Sequence, residues 1–370
     1  MSGPLTILFA GGGTGGHLYP GVTLAEAFLD AEPRTGIVFF VTHRDIDRRV
    51  LEPRGWKVHY EASRGLSLRP WTWPKFLLSY WASRRHARAF LGDLRPDAVV
   101  GLGGFGSYAA VREAQGMGIP TFVLNPDLHV GRANARLASR ADAVFCQFED
   151  TIAQLRSCRR VEAVGCPIRR GLFGVDRSHA ARALGLRDDL RTLVVTGGGL
   201  GARSINQTLA MLAPRLDQFD RWQVLHVTGQ GNDDAIRRAV AGRHPRYYVR
   251  DYADEMALVY AVADLMICRA GAGTVAELTA LGVPAVLMPY PFHRDRHQED
   301  HARILEEVGA AVAVRDQANP DRNIDGLWQV VPQLMEDDAR REAMADAARR
   351  LGRPEAGKSI VSAIRVTLGR

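Results

Sequence analysis

The apolar run Leu5-Thr6-Ile7-Leu8-Phe9-Ala10 stops at Gly11-Gly12-Gly13-Thr14-Gly15-Gly16-His17, and helical spacing of Leu18, Val22, Ala25 and Leu29 follows at once. A buried strand, a glycine turn and a helix start make an anion-binding unit, because unpaired N–H groups and the positive end of the helix dipole converge there. Glycine lets the backbone approach a ligand with no Cβ between them. No Gly-Lys-Ser/Thr closes the loop, so it is not a Walker loop, and its spacing does not fit the dinucleotide fingerprint. His17 stands where a proton can be drawn from a bound ligand.

The same order recurs. Thr192-Leu193-Val194-Val195-Thr196 runs into Gly197-Gly198-Gly199-Leu200-Gly201-Ala202 and then a helical pattern through Ile205, Leu209 and Leu212. A third cluster, Gly101-Leu102-Gly103-Gly104-Phe105-Gly106, follows Asp97-Ala98-Val99-Val100. A single glycine loop is often only a turn. Two strand–loop–helix units, each opening one half of a 370-residue chain, predict two α/β Rossmann-like domains facing each other across a cleft. Strands are expected at 5–10, 36–41, 98–101, 120–124, 143–147 and 161–164, then at 192–196, 223–227, 264–268, 285–288 and 311–314. These runs are apolar throughout, which predicts parallel sheets covered on both faces. Gly165-Cys166-Pro167 marks the break, giving domains over 1–165 and 166–350. A helix over about 351–370, after Gly352-Arg353-Pro354, is expected to pack back on the first domain.

No apolar run reaches the roughly 18 residues of a membrane span, and the N-terminus lacks the features of a secretory signal. Cys146, Cys158, Cys166 and Cys268 show no metal or redox spacing and are expected as buried thiols of a reducing cytoplasm. Charge is unevenly placed. Between Arg54 and Arg95, nine Lys/Arg face two acids, an excess equal to the +7 of the whole chain. The same segment holds Trp56, Trp71, Trp73 and Trp81, four of the six tryptophans, and leads into a helix bearing Arg84, Arg85 and Arg88. Tryptophan beside arginine at an apolar edge suits an anionic membrane surface. An ordinary amphipathic helix with a solvated basic face is the plainer reading, and nucleic acid the least favoured.

In the second half a strand ends at Cys268 and meets Arg269-Ala270-Gly271-Ala272-Gly273-Thr274-Val275-Ala276-Glu277. Glu277, expected near the first turn of the next helix, can accept hydrogen bonds from two adjacent ribose hydroxyls or merely complement the helix dipole. Beyond Pro289-Tyr290-Pro291, Gln298 offers both donor and acceptor to sugar hydroxyls. His297 and His301 lack an evident third ligand, so no metal site is expected. Asp45-Ile46-Asp47 echoes a metal-clamping Asp-x-Asp but lies among Arg44, Arg48 and Arg49, which predicts surface salt pairing.

Together these stretches resemble the glycosyltransferases of the GT-B fold, family 28, of the bacterial MurG type. The resemblance covers nearly the whole chain. It rests on Gly12–His17 with Pro20-Gly21, Gly103-Gly104-Phe105, Gly131-Arg132-Ala133-Asn134, Gly165-Cys166-Pro167-Ile168-Arg169, the Gly197–Asn206 stretch, Arg269–Thr274 with Glu277, and Pro289-Tyr290-Pro291 with His297-Gln298. It implies an inverting enzyme that moves N-acetylglucosamine from UDP-GlcNAc to the lipid-linked muramyl-pentapeptide acceptor, with no cofactor and no obligatory metal. It implies a peripheral enzyme on the cytoplasmic face of the plasma membrane, with other cell-wall synthesis proteins as partners and no nucleic acid. By the same resemblance Arg169 meets the UDP diphosphate, Glu277 the ribose, Gln298 the GlcNAc, and Ala253 and Met256 pass the uracil. Thr14, Gly15, Gly16, Gly199, Gly273 and Thr274 line the donor, and Gly103, Gly104, Asp127 and Asn134 the acceptor side. His17 is the catalytic base, and the Trp/Arg segment is the membrane patch. The chain departs from the family pattern at Gly199-Leu200, where Ser-Gln is usual, at Asn125-Pro126-Asp127, at Ala270 and at His301. Those departures leave two other readings: a sister transferase acting on another lipid such as diacylglycerol, or a nucleotide-sugar binding protein whose catalysis has decayed.

Overall fold

The computed structural model describes residues 3–61, 73–292 and 295–370. Its contacts divide the chain into two units, Met1–Ile168 with Arg353–Arg370, and Arg169–Gly352.

The first unit runs β1 (Thr6–Ala10), α1 (Gly15–Ala31), β2 (Gly36–Thr42), α2 (Asp45–Leu51), β3 (Lys57–Glu61), α3 (Trp73–Leu94), β4 (Ala98–Gly101), α4 (Phe105–Gly116), β5 (Thr121–Asn125), α5 (Arg132–Ala138), β6 (Ala143–Cys146) and β7 (Val161–Ala163). The strands form one parallel sheet in the order β3-β2-β1-β4-β5-β6-β7. Why β1 is apolar from Ile7 to Ala10 follows from its two faces. Ile7 and Phe9 pack with Leu18, Val22 and Phe28 of α1, while Leu8 and Ala10 pack with Leu91 of α3 and Ala110 and Val111 of α4.

The second unit runs α6 (Arg177–Ala183), β8 (Arg191–Thr196), α7 (Arg203–Leu216), β9 (Trp222–Val227), α8 (Asp233–Val240), β10 (Tyr247–Arg250), α9 (Met256–Val262), β11 (Ala263–Cys268), α10 (Ala272–Leu281), β12 (Ala285–Leu287), α11 (His297–Glu307), β13 (Ala311–Ala313), α12 (Pro320–Glu336) and α13 (Asp338–Leu351). Its parallel sheet has the order β10-β9-β8-β11-β12-β13. Leu193 and Val195 of β8 pack with Ile205, Leu209 and Leu212 of α7 and with Leu327 and Val331 of α12. The last helix, α14 (Ala356–Thr367), packs on α1 and puts Ile360, Val361 and Ile364 into the first unit's core.

In each sheet the chain reverses its winding beside the first strand, between β1 and β4 in one and between β8 and β11 in the other. Ligands of open parallel sheets bind at the strand C-termini of such switch points. The glycine loops 11–14 and 197–201 leave β1 and β8 there, and the turns at 102–104 and 269–271 leave β4 and β11.

Two strands arise where no apolar run announced them. β3 reads Lys-Val-His-Tyr-Glu and β10 reads Tyr-Tyr-Val-Arg. Both are edge strands, partly open to solvent, and edge positions favour charged and alternating residues over a continuous apolar run. Among the described residues no helix is long and apolar enough to cross a membrane, and the four cysteines are free.

Candidate functional site

At the first switch point Thr14 is the N-cap of α1, and Gly15, Gly16 and His17 begin the helix. The His17 ring is half-buried, with Nδ1 3.1 Å from Thr14 Oγ1. It lies flat against the turn after β4. A Cβ built on Gly103 would stand 3.1 Å from His17 Cδ2 and 3.3 Å from Nε2, and Gly103 has φ +95°. No other residue fits there without displacing the imidazole. If Nδ1 donates to the Thr14 hydroxyl, Nε2 is left as the acceptor, the tautomer a base requires.

The loop itself is braced from behind. Asp47 is fully buried. Its Oδ1 accepts the Gly13 N–H at 2.7 Å, its Oδ2 accepts the Thr42 hydroxyl, and Arg44 Nη1 donates to the Gly13 carbonyl at 2.8 Å. Gly11 N–H donates to Phe40 O at 2.9 Å. This corrects two expectations. Asp47 is not in a surface salt pair, although Asp45 is exposed. The N–H groups of Gly11 and Gly13 do not reach out to an anion, being spent on a strand carbonyl and on a buried carboxylate.

Among the residues expected on the acceptor side, buried Asn134 donates from Nδ2 to Leu124 O at 3.1 Å and to Asn125 Oδ1 at 3.0 Å. Asn125 in turn donates to Asp127 O at 2.6 Å. The unusual Asn125-Pro126-Asp127 stretch is therefore tied to Asn134. The same Nδ2 would lie 3.5 Å from a Cβ on Gly103, which brings Asn134 beside His17 and Gly103. Gly104 caps α4 with φ +70°.

The second switch point is built differently. Three carbonyls of loop 197–201 are engaged: Gly198 O accepts from Gly201 N–H at 2.9 Å, Gly199 O from Gln230 N–H at 3.2 Å, and Leu200 O from Asn232 Nδ2 at 3.3 Å. The N–H groups of Gly199 and Leu200 donate to no group among the described residues. The Leu200 side chain is 91% exposed there. Gly201 makes the loop possible, since a Cβ on it would lie 2.0 Å from Thr228 O. Gly199 approaches the Tyr252 ring, leading to half-buried Ala253 and to Met256 at the start of α9.

Beside this loop, α10 starts after Gly271, with Gly273 and Thr274 in its first turn. Glu277 stands in the second turn, not the first, so dipole complementation is not its role. Its carboxylate is held at both oxygens: Arg169 Nη2 donates to Oε1 at 3.1 Å and the Tyr260 hydroxyl to Oε2 at 2.7 Å. Burial, then the adjacent Glu277 charge, pushes the Tyr260 pKa well above its ordinary value, so the phenol stays a donor. Arg169 and Glu277, expected on separate parts of a nucleotide, form an ion pair, and Tyr260 had no signal in the sequence beyond an aromatic in an apolar helix.

Arg269 is a hub. It donates to Met288 O at 2.9 Å, Pro289 O at 3.1 Å, Asp316 Oδ2 at 2.7 Å and Ser204 Oγ at 3.0 Å. Burial would raise the Asp316 pKa, yet hydrogen bonds from Ser204, Asn323, Arg269 and the Ala318 N–H hold it below the ordinary 3.8. Asp316 went unnoticed in the sequence because it lies in an irregular loop far from any motif. Gln298 accepts the Tyr290 N–H at 2.9 Å, so its amide NH2 is what it offers a sugar. His301 is buried, its Nδ1 2.9 Å from Ala270 O, joining two of the departures from the family pattern.

Of the residues expected to form a membrane patch, Trp71 lies outside the described residues, as does the side chain of Trp73. Trp81 is 61% exposed, with the Arg84 guanidinium over its ring at 5.2 Å. Arg84 and Arg88 both pair with buried Glu113 of α4, whereas Arg85 is exposed.

The profile of the glycosyltransferase family 28 N-terminal domain matches residues 7–146, and that of its C-terminal domain residues 192–360. A UDP-N-acetylglucosamine–N-acetylmuramyl-(pentapeptide) pyrophosphoryl-undecaprenol N-acetylglucosamine transferase of Halothermothrix orenii is 31% identical, with 98% of this chain and 99% of that protein covered. A protein of the same description from Geobacter sulfurreducens is 34% identical over 96% and 97%. The crystal structure of Acinetobacter baumannii MurG is similar with a TM-score of 0.76 at 25% identity, over 98% of this chain and 99% of that one.

Proposed function

Because the chain belongs to glycosyltransferase family 28, we propose that it transfers N-acetylglucosamine from UDP-N-acetylglucosamine to undecaprenyl-pyrophosphoryl-N-acetylmuramyl-pentapeptide, turning lipid I into lipid II of peptidoglycan synthesis. The observation that carries this is identity of 31–35% along almost the whole chain with transferases of that description. The geometry supports the following parts for the residues in this reading. The N–H groups of Gly199 and Leu200, which have no acceptor among the described residues, receive the diphosphate with Arg169. Glu277, oriented by Tyr260 and Arg169, accepts from the ribose hydroxyls, and Gln298 donates to the sugar. The acceptor C4 hydroxyl loses its proton to His17 Nε2 as its oxygen bonds to the anomeric carbon. The anomeric carbon–phosphate oxygen bond breaks, its electron pair leaves with UDP, and the configuration inverts. Arg169 and the loop N–H groups neutralise the leaving diphosphate, so this step needs no metal.

The acceptor is carried by a lipid, and the exposed Trp81 with Arg84 and Arg85 fits a peripheral contact with anionic headgroups on the cytoplasmic face. The test is UDP release with UDP-GlcNAc and either a short-chain lipid I analogue or diacylglycerol. Release with the lipid I analogue alone, together with a disaccharide product, is expected. Glycosylated diacylglycerol, or UDP binding without release, contradicts the proposal and returns the two other readings.

A further inference from the structure

Three side chains of the first unit converge outside the transfer site. His59 and Glu61, two apart on β3, share one face of the strand, and His86 comes from α3. One ring nitrogen of each histidine and one oxygen of Glu61 lie within 4.8 Å of one another, the only such three-member group among the described residues. His86 Nδ1 stands 3.4 Å from Glu61 Oε2. That is long for a charge-assisted hydrogen bond. It matches the separation of about 3.3 Å between two ligands on a tetrahedral zinc with bonds of about 2.0–2.1 Å.

The ligands are held ready. The His59 ring is stacked on Phe40 at 5.1 Å and tilted against Phe90 at 4.5 Å. Its Nε2 is buried and has no hydrogen-bond partner among the described residues. Glu61 is buried, while half of the His86 side chain is open to solvent, giving a route of entry.

We infer that His59, Glu61 and His86 bind a divalent cation of the zinc type that ties α3 to the edge strand β3. Two imidazoles and one carboxylate suit zinc, whereas magnesium and calcium take shells of oxygen. Three protein ligands leave one position for water. The cation cross-links a helix to a strand that has a sheet neighbour on one side only. It plays no part in the transfer step.

The experiment uses untagged full-length protein stripped with a chelator and titrated with Co2+, then Zn2+. One equivalent of Co2+ is expected to bind with the visible absorption of four- or five-coordinate cobalt, to be displaced by Zn2+, and Zn2+ is expected to raise Tm. His86→Ala changes the most exposed ligand, so folding is spared. It should weaken Co2+ binding by at least the ~10–100-fold that loss of an outer-shell partner costs and abolish the Zn2+-dependent rise in Tm. Glu61→Gln should do the same. No stoichiometric uptake by the wild type, or equal uptake by wild type and His86→Ala, overturns the site. So does a fall in Tm of His86→Ala that is the same with and without Zn2+, which would mark a simple His86–Glu61 ion pair.

Discussion

The two glycine loops leave equivalent strands of two sheets wound alike, yet they present opposite surfaces. Loop 11–14 turns its N–H groups inward, to the Phe40 carbonyl and the buried Asp47 carboxylate. Loop 197–201 engages its carbonyls instead, held by backbone groups, the Asn232 amide and the Thr196 hydroxyl. An anion set on the first loop would face a buried negative charge. On the second it meets the Gly199 and Leu200 N–H groups, which donate to no group among the described residues. Under the proposed function a shared fold thus yields two devices: one that holds a histidine in place and one that would receive a diphosphate. The glycine-rich composition is common to both, and the partner of each N–H decides between them.

The comparison breaks most easily at His17. His17→Ala should lower turnover on the order of 10²–10⁴-fold, measured by UDP release on a short-chain acceptor. Turnover near wild type would make the first loop a mere turn. Next in size is the hub of the second unit. Asp316→Ala strands Arg269 and should cost about 3 kcal/mol of stability, read by denaturant unfolding, and raise KM for the donor. Its pH signature has a fixed sign. The folded pKa lies below 3.8, so the stabilisation is present above pH 3.8 and is lost as pH falls through the lower folded value. Asp316→Asn should flatten that acid limb. An unchanged acid limb would remove Asp316 from the account.

Asp47→Ala sharpens the contrast from the other side. It orphans the Gly13 N–H and the Thr42 hydroxyl, a loss of about 1–3 kcal/mol, and should reduce turnover while UDP affinity stays as in the wild type. Reduced UDP affinity would place the donor phosphates on the first loop instead. The smallest effect concerns lipid. Charge reversal at Arg84 or Arg88 would strand buried Glu113, so Arg85→Glu is the clean change. It should weaken co-sedimentation with anionic vesicles by about 1 kcal/mol at low salt and spare activity on a soluble acceptor. Equal binding to anionic and neutral vesicles would deny α3 a role at the membrane.

The fold was legible where burial is two-sided. Leu8 and Phe9 face opposite cores, so the buried centre of β1 had to be an apolar run, Ile7 to Ala10, and that of β8 likewise, Leu193 to Val195. β3 and β10 were illegible because an edge strand needs no such run. At the site, His17, Glu277 and Gln298 stood out because each follows a glycine or proline turn. Tyr260, Asp47 and Asp316 did not. Each acts on a residue 17 to 47 positions away, at Glu277, Gly13 and Arg269 respectively, and a pairing across that distance leaves no local pattern. Glu277 itself was placed a turn too early, since Gly271-Ala272-Gly273 does not reveal where the helix begins.

Calorimetric titration of UDP into His17→Ala and Glu277→Ala, side by side with the wild type, tests the division of labour most directly. Glu277→Ala should lose about 1.5–3 kcal/mol of UDP binding, and His17→Ala should bind as the wild type does. Undiminished affinity in Glu277→Ala, or a comparable loss in His17→Ala, would contradict the assignment of the donor to the second loop and of the base to the first.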